Sequence, residues 1–205
     1  MKKTIKFAMF AALLAMAGSL SAQTMINGGF KVTVLQTDNQ DAIGCFGYYG
    51  GFTQNVVLSR HVGVAPGIYF TRFTGDSEST VAGTTIHNQI TENAIAIPVP
   101  INVMMHITDV SFFYIFAGPE FNIGISSKGE RWIGDNGEHT TYDLYEEGVP
   151  GELGRYNISW LGGVGGKFDF LNVNLGISGN IFNRLYDSDI NQKAINLFFG
   201  IGLAF

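Results

Sequence analysis

Large apolar residues recur at every second position over the last twelve residues of the chain, from Ala194 to Phe205. The odd positions hold Ile, Leu or Phe, and the even positions are small or polar with the exception of Phe198. Because side chains along a strand alternate between two faces, this pattern predicts a strand with one apolar face and one nearly bare face. Neither face carries a charge, which fits lipid on one side and a crowded barrel interior on the other.

The same alternation recurs in seven earlier segments, so the sequence predicts eight strands. The predicted strands are residues 30–37, 45–58, 62–73, 89–105, 111–126, 156–168, 173–182 and 194–205. In the fourth, Pro98 and Pro100 remove two donors from the same side of the strand, so we expect a bulge or a locally open ladder there.

The lengths of the connections predict the topology. Long polar connections at 38–44, 75–88, 127–155 and 185–193 alternate with short ones at 59–62, 106–110 and 169–172. Short periplasmic turns and long extracellular loops are typical of outer-membrane barrels. The predicted fold is therefore all-β, an eight-stranded antiparallel up-and-down transmembrane β-barrel with both termini on the periplasmic side.

The first 22 residues have the pattern of a secretory signal peptide. Lys2, Lys3 and Lys6 precede an apolar run from Phe7 to Ala17, and small residues follow up to Ala22. This run is shorter than the roughly 20 residues that a membrane-spanning helix needs. We therefore expect cleavage near Ala22, a barrel domain over residues 23–205, and localisation in the outer membrane.

Charge and cysteine content narrow the class of protein. The chain has 12 Lys and Arg against 17 Asp and Glu, and three of the lysines lie in the predicted signal peptide. This acidic balance argues against a nucleic-acid partner. Cys45 is the single cysteine, so the chain forms no internal disulfide.

Four charged residues fall on predicted inward rows: Lys31, Glu92, Glu120 and Lys167. A buried charge is costly unless it is paired, so we interpret them as an ion-pair plug that closes the lumen; a narrow gated ion path is the alternative. An eight-stranded barrel encloses a space that side chains fill, which argues against a wide aqueous pore.

Catalytic chemistry has little support in the sequence. His61, His87, His106 and His139 all fall in predicted turns or loops, away from inward serines. There is no Gly-x-Ser-x-Gly motif, metal-ligand spacing or phosphate-binding loop. We therefore predict a protein that is not an enzyme and that has no cofactor or metal; a lipid-modifying barrel enzyme is the least favoured alternative.

The predicted loop 127–155 combines acidic and aromatic residues. It is either a mobile acidic shield, whose like charges keep it extended, or a binding hairpin that uses its aromatic residues, with divalent cations of the lipopolysaccharide layer as a further contact. The candidate interaction residues are Trp132, Asp135, Glu138, Tyr142, Asp143 and Tyr145.

Several runs resemble the PorT-type outer-membrane β-barrel family. They are A-I-A-I-P-V-P-I-N-V (94–103), Y-I-F-A-G-P-E-F (114–121), W-L-G-G-V-G-G-K-F (160–168), G-I-S-G-N-I (176–181) and the terminal aromatic. The resemblance implies a bacterial outer-membrane barrel, and one member of the family is linked to the type IX secretion pathway.

From these patterns we expect a membrane-embedded structural or surface-interaction protein. Its expected partners are outer-membrane lipid and lipopolysaccharide, and the barrel assembly machinery during insertion; a protein partner at the extracellular loops is left open. We expect a monomer. The alternatives are an accessory component of a type IX-like secretion pathway, a narrow gated channel and a barrel enzyme.

Overall fold

The computed structural model describes residues 22–38, 42–81, 84–134, 139–149, 152–185 and 190–205. All of the predicted signal peptide except Ala22 lies outside this part of the chain. Eleven strands are formed within the described residues. They are β1 (Ala22–Thr37), β2 (Ile43–Ser59), β3 (Val62–Val64), β4 (Gly67–Val81), β5 (Thr84–Pro98), β6 (Ile101–His106), β7 (Ser111–Ile133), β8 (Thr140–Asp143), β9 (Tyr156–Phe168), β10 (Leu171–Asn180) and β11 (Gln192–Ala204).

The strands form a closed antiparallel sheet. β1 pairs with β2 on one side and with β11 on the other, which joins the two ends of the chain. β3 continues into β4, and β5 continues into β6, so the wall consists of eight strands in up-and-down order. β8 lies outside this ring and pairs with β7. The predicted fold class is confirmed.

The outward face of the wall is an apolar belt. Phe30, Phe46, Phe70, Ile115 and Leu197 are examples of its large side chains, all at least two-fifths exposed. Exposing a continuous apolar surface of this kind to water is unfavourable, and the surface matches the lipid-facing band of a membrane barrel. Among the described residues, no helix is long and apolar enough to cross a bilayer.

The prolines interrupt two of the wall strands. β5 ends at Pro98 and β6 begins at Ile101, while the neighbouring wall strand is interrupted at Ala65 and Pro66. The Ala65 amide donates to the Pro100 carbonyl at 3.0 Å, and the Val99 amide donates to the Pro119 carbonyl at 2.9 Å. The ladder is therefore irregular where the sequence predicts it, because two proline nitrogens cannot donate.

Two of the predicted loops contain strands. β4 continues to Val81 and β5 begins at Thr84, so the predicted loop 75–88 is the end of a long hairpin. Polar cross-strand contacts replace apolar ones here: Thr74 and Thr91 are hydrogen-bonded at 3.1 Å, and Gln89 Nε2 donates to Asp76 Oδ1 at 2.6 Å. Similarly, β7 runs to Ile133 and pairs with β8 inside the predicted loop 127–155.

The first strand is longer than predicted, because β1 begins at Ala22, eight residues before the predicted start.

The barrel has two unlike ends. We call one end the turn end. It carries the connections 60–61, 107–110 and 169–170, together with the start of β1 and the end of β11. The loop end carries the connections after β1, β4, β7 and β10, together with β8. These ends correspond to the short and long connections of the sequence pattern.

The face assignment predicts opposite behaviour for two adjacent residues of β10. Ile177 is 45 % exposed on the belt, whereas Ser178 is 1 % exposed and its hydroxyl accepts a hydrogen bond from Asn196 at 3.0 Å. In a Cys45→Ser background, a spin label at residue 177 should be relaxed by lipid-soluble oxygen, and a label at residue 178 should be shielded. Ile177→Arg should cost about 2–4 kcal/mol if it lies near the bilayer midplane. Reversed accessibilities would mean that the strand register is wrong.

Candidate functional site

Two chain segments cover the loop end of the barrel. After β8, the Leu144 amide donates to the Ser127 carbonyl at 2.8 Å, and the Leu153 amide donates back to the Leu144 carbonyl at 2.7 Å. Leu153 then pairs with Leu185 of the last connection, and both Leu144 and Leu153 are buried. We call the described residues 144–149, 152–154 and 181–185 the mouth cover.

Beneath the mouth cover lies a buried ion pair. Arg184 Nη2 donates to Glu92 Oε2, and the two side chains are only 11 % and 10 % exposed. The guanidinium also lies 5.7 Å from the centroid of the Phe73 ring. An apolar cluster inside the wall completes the closure. It consists of Leu35, Cys45, Phe73 and Ala194, with Ile43 and Ile90 packed against it.

Tyr145 packs over Gly124 of β7 near the mouth. Its ring occupies the volume that a Cβ atom at Gly124 would need, so the glycine on β7 makes room for it. The guanidinium of Arg155 lies 4.7 Å from the ring centroid. Burial, followed by the negative charge of Glu92, raises the pKa of Tyr145 well above its usual range. The phenol therefore stays neutral beside the ion pair.

The half of the lumen nearer the turn end is not filled. It contains a cavity of about 110 Å³ whose lining includes Lys31, Glu120 and Lys167. Aromatic rings form a layer along it: Tyr49 lies 5.5 Å from Tyr69 and 6.1 Å from Phe198 between ring centroids. This cavity lies inside the lumen that the sequence predicts to be filled by side chains.

The four predicted plug residues do not form one cluster. Glu92 pairs with Arg184, which lies 92 residues away, between the predicted strand 173–182 and the predicted loop 185–193. Lys167 Nζ donates to the Val110 carbonyl at 3.3 Å and lies 5.7 Å from the Phe112 ring centroid. Within the described part of the chain, no salt bridge joins Lys31, Glu120 or Lys167 to one another. The plug differs from the prediction because its cation comes from the last connection.

The predicted interaction residues are mostly engaged in packing. Trp132, on β7, is stacked between His87 at 5.2 Å and His139 at 5.0 Å, and His87 Nδ1 lies 3.0 Å from Glu78 Oε1. The remaining residues divide as follows. Tyr142 packs over Gly129, Asp143 Oδ1 accepts the Tyr145 amide at 2.9 Å, and Asp135 and Glu138 lie outside the described residues.

One exposed ion pair lies near the loop end of β7. Lys128 donates to Glu130 on the extended part of β7, and its ammonium holds the pKa of that carboxyl below its usual range. In the described ranges, no group of three or more His, Cys, Asp or Glu side chains is placed to hold a metal ion.

The buried pair predicts an asymmetric response to substitution. Arg184→Met should destabilise the barrel by about 3–5 kcal/mol, because it leaves the Glu92 carboxylate buried and unpaired. Glu92→Met combined with Arg184→Met should recover most of this loss. Lys128→Met, which breaks an exposed pair, should cost much less, because solvent screens that pair. Reversible urea unfolding in detergent measures the free energy of unfolding of each variant. Equal losses for Arg184→Met and Lys128→Met would contradict the burial of Glu92.

The chain is similar to several solved structures. Ail, the attachment invasion locus protein of Yersinia pestis in complex with a heparin analogue, matches with a TM-score of 0.50 and 12% identity, over 91% of this chain and 100% of that chain. Neisserial surface protein A matches with a TM-score of 0.43 and 10% identity, over 89% and 97%. OprG of Pseudomonas aeruginosa matches with a TM-score of 0.40 and 11% identity, over 92% and 98%.

No protein-family model and no curated protein sequence matches the chain. At 12% identity, the likeness to Ail concerns the fold alone. Together with the apolar belt and the closed eight-stranded wall, it gives the chain the fold of a small outer-membrane β-barrel.

Proposed function

We propose that residues 23–205 form a non-enzymatic integral protein of the bacterial outer membrane, exported by a signal peptide over residues 1–22. The loop end faces the cell exterior, where the surface built by β8, the mouth cover and the β4–β5 hairpin contacts lipopolysaccharide or a protein partner. The barrel assembly machinery inserts the chain, which acts as a monomer. The observation that carries this proposal is the closed mouth above an apolar belt.

The placement of the nucleophilic and basic groups supports a non-enzymatic role. His87 and His139 are both stacked on Trp132, and His61 lies 6.3 Å from His106 between ring centroids at the turn end. Among the described residues, the polar side-chain contact of a histidine is that of His87 Nδ1 with Glu78 Oε1 at 3.0 Å, and not with a serine or threonine hydroxyl that a histidine could activate.

The finer proposal is a PorT-type barrel that serves a type IX-like secretion pathway. It rests on the motif runs, and the proline-containing run coincides with the irregular part of the wall between β5 and β6. Crosslinking in native membranes followed by co-purification tests it: recovery of secretion subunits supports the pathway role, and their absence leaves the surface-interaction role. A narrow gated channel is favoured only by the cavity in the turn half.

The membrane assignment predicts a defined behaviour on fractionation. The protein should pellet with outer membranes and resist extraction with carbonate, because the belt is lipid-facing. Its gel mobility should shift on boiling, because a closed barrel stays compact in detergent until it is heated. Recovery as a soluble periplasmic protein would contradict the proposal.

The closed mouth predicts an absence of steady current. Folded wild-type protein in planar bilayers should show no stable conductance, since the mouth cover, the Glu92–Arg184 pair and the apolar cluster fill the loop half. A porin reconstituted in the same bilayers is the positive control. A steady ion-selective current from wild-type protein would favour the channel instead.

A further inference from the structure

Lys31 and Glu120 lie on opposite walls of the lumen. Lys31 is on β1 and Glu120 is on β7. Around the closed wall, β7 is four strands from β1 in either direction, with β2, the β3–β4 strand and the β5–β6 strand on one side and β11, β10 and β9 on the other. In a ring of eight strands, four steps in each direction means that the two strands are diametrically opposed.

The register of the sheet also places the two residues at a similar depth. From Lys31, cross-strand partners can be followed around the wall in both directions until each route reaches β7. One route ends at Ser127 and the other at Phe116. The partners on the way are Gly47, Phe73 and Glu92 on the first route, and Phe198, Gly176 and Gly163 on the second. Because barrel strands are tilted, one route climbs as much as the other descends, so the level of Lys31 on β7 lies midway, close to Glu120.

Neither charge is neutralised by the protein. No hydrogen bond or ion pair of the Lys31 ammonium is formed within the described part of the chain, and Glu120 accepts one hydrogen bond, from Asn122 at 3.2 Å. The third charge on the cavity, Lys167, is already engaged by a carbonyl and an aromatic ring. A cation and an anion therefore face each other across the lumen without touching.

The space between them is a formed cavity. Its volume of about 110 Å³ corresponds to roughly four waters at about 30 Å³ each, which also suffices for a molecule of a few non-hydrogen atoms.

We propose that this cavity binds a small zwitterion, a molecule of the size of a free amino acid that carries one carboxylate and one ammonium. The Lys31 ammonium donates to the ligand carboxylate, and Glu120 accepts from the ligand ammonium. The aromatic layer of Tyr49, Tyr69 and Phe198 packs against the short apolar part. The ligand enters from the turn end, because the mouth cover closes the other end.

The site fits a zwitterion better than a simple anion or cation. An anion would satisfy Lys31 and leave the Glu120 carboxylate facing the same low-dielectric space, where like charges repel. A cation would pair with Glu120 and leave the Lys31 ammonium without a counter-charge. A ligand that carries both charges neutralises both walls at once.

Equilibrium dialysis with radiolabelled L-alanine tests the proposal on folded protein in nanodiscs. Wild-type protein should bind L-alanine, and Lys31→Met and Glu120→Gln should each weaken binding at least tenfold. The double exchange Lys31→Glu with Glu120→Lys should recover binding to within a few-fold of wild type, because a zwitterion can reverse its orientation in the cavity. The matched control removes an exposed pair of the same chemistry: Lys128→Met with Glu130→Gln should leave binding unchanged.

Three results would overturn the proposal. The first is no binding of L-alanine to wild-type protein that shows the gel shift of a folded barrel. The second is binding of acetate as tight as that of L-alanine with no effect of Glu120→Gln, which indicates an anion site. The third is failure of the charge exchange to restore binding although that variant folds. None of these results depends on which membrane surface the loop end faces.

Discussion

Closure of the wall is the constraint on which the rest of this structure depends. Inside a bilayer there is no water to satisfy an unpaired backbone group, so every strand needs a partner on both sides. The pairing of β1 with β11, from Met25 with Ala204 to Thr37 with Gln192, removes the two free edges that the chain would otherwise have. With eight strands the circumference is fixed, and the lumen is only wide enough for side chains and a small cavity.

Within that fixed circumference, glycines decide where large inward side chains fit. The Phe198 ring occupies the space over Gly176, and the Phe116 ring occupies the space over Gly163. A Cβ atom at either glycine would collide with the ring, so the glycine-rich strands β9 and β10 are the complement of the aromatic layer. The glycines of β9 and β10 and the inward-facing aromatic residues therefore have a common cause, which is the packing of large rings in a narrow tube.

The alternation of faces could be predicted from the sequence because it is a local property. Ile177 is apolar and Ser178 is polar, and the two lie on opposite faces of the strand, as the period of two requires. The extension of β4 and β5 beyond the belt could not be predicted from apolar periodicity, since Asp76, Glu78 and Gln89 carry no apolar row there. Water surrounds these strands, so polar cross-strand contacts are sufficient to hold them.

The composition of the plug is a different case, because it depends on contacts distant in sequence. The inward orientation of Glu92 can be predicted from its position on a strand with alternating faces. Its partner Arg184 lies in a connection without periodicity, and only the folded path over the mouth brings the two together. The same argument applies to Tyr145, whose place is set by Gly124 on a neighbouring strand. Candidate charges can be read from a barrel sequence, but their pairing requires the three-dimensional register and the loop path.

The unequal ends of the barrel have one further consequence. A cover such as the one at the loop end needs a chain segment long enough to cross the mouth and bury side chains such as Leu144 and Leu153. The connections at the turn end have only two to four residues, and all of these residues are needed to reverse the chain direction. They are residues 60–61, 107–110 and 169–170. They cannot supply such a cover. The length asymmetry that orients the barrel therefore also determines the side from which its cavity exchanges water and solutes.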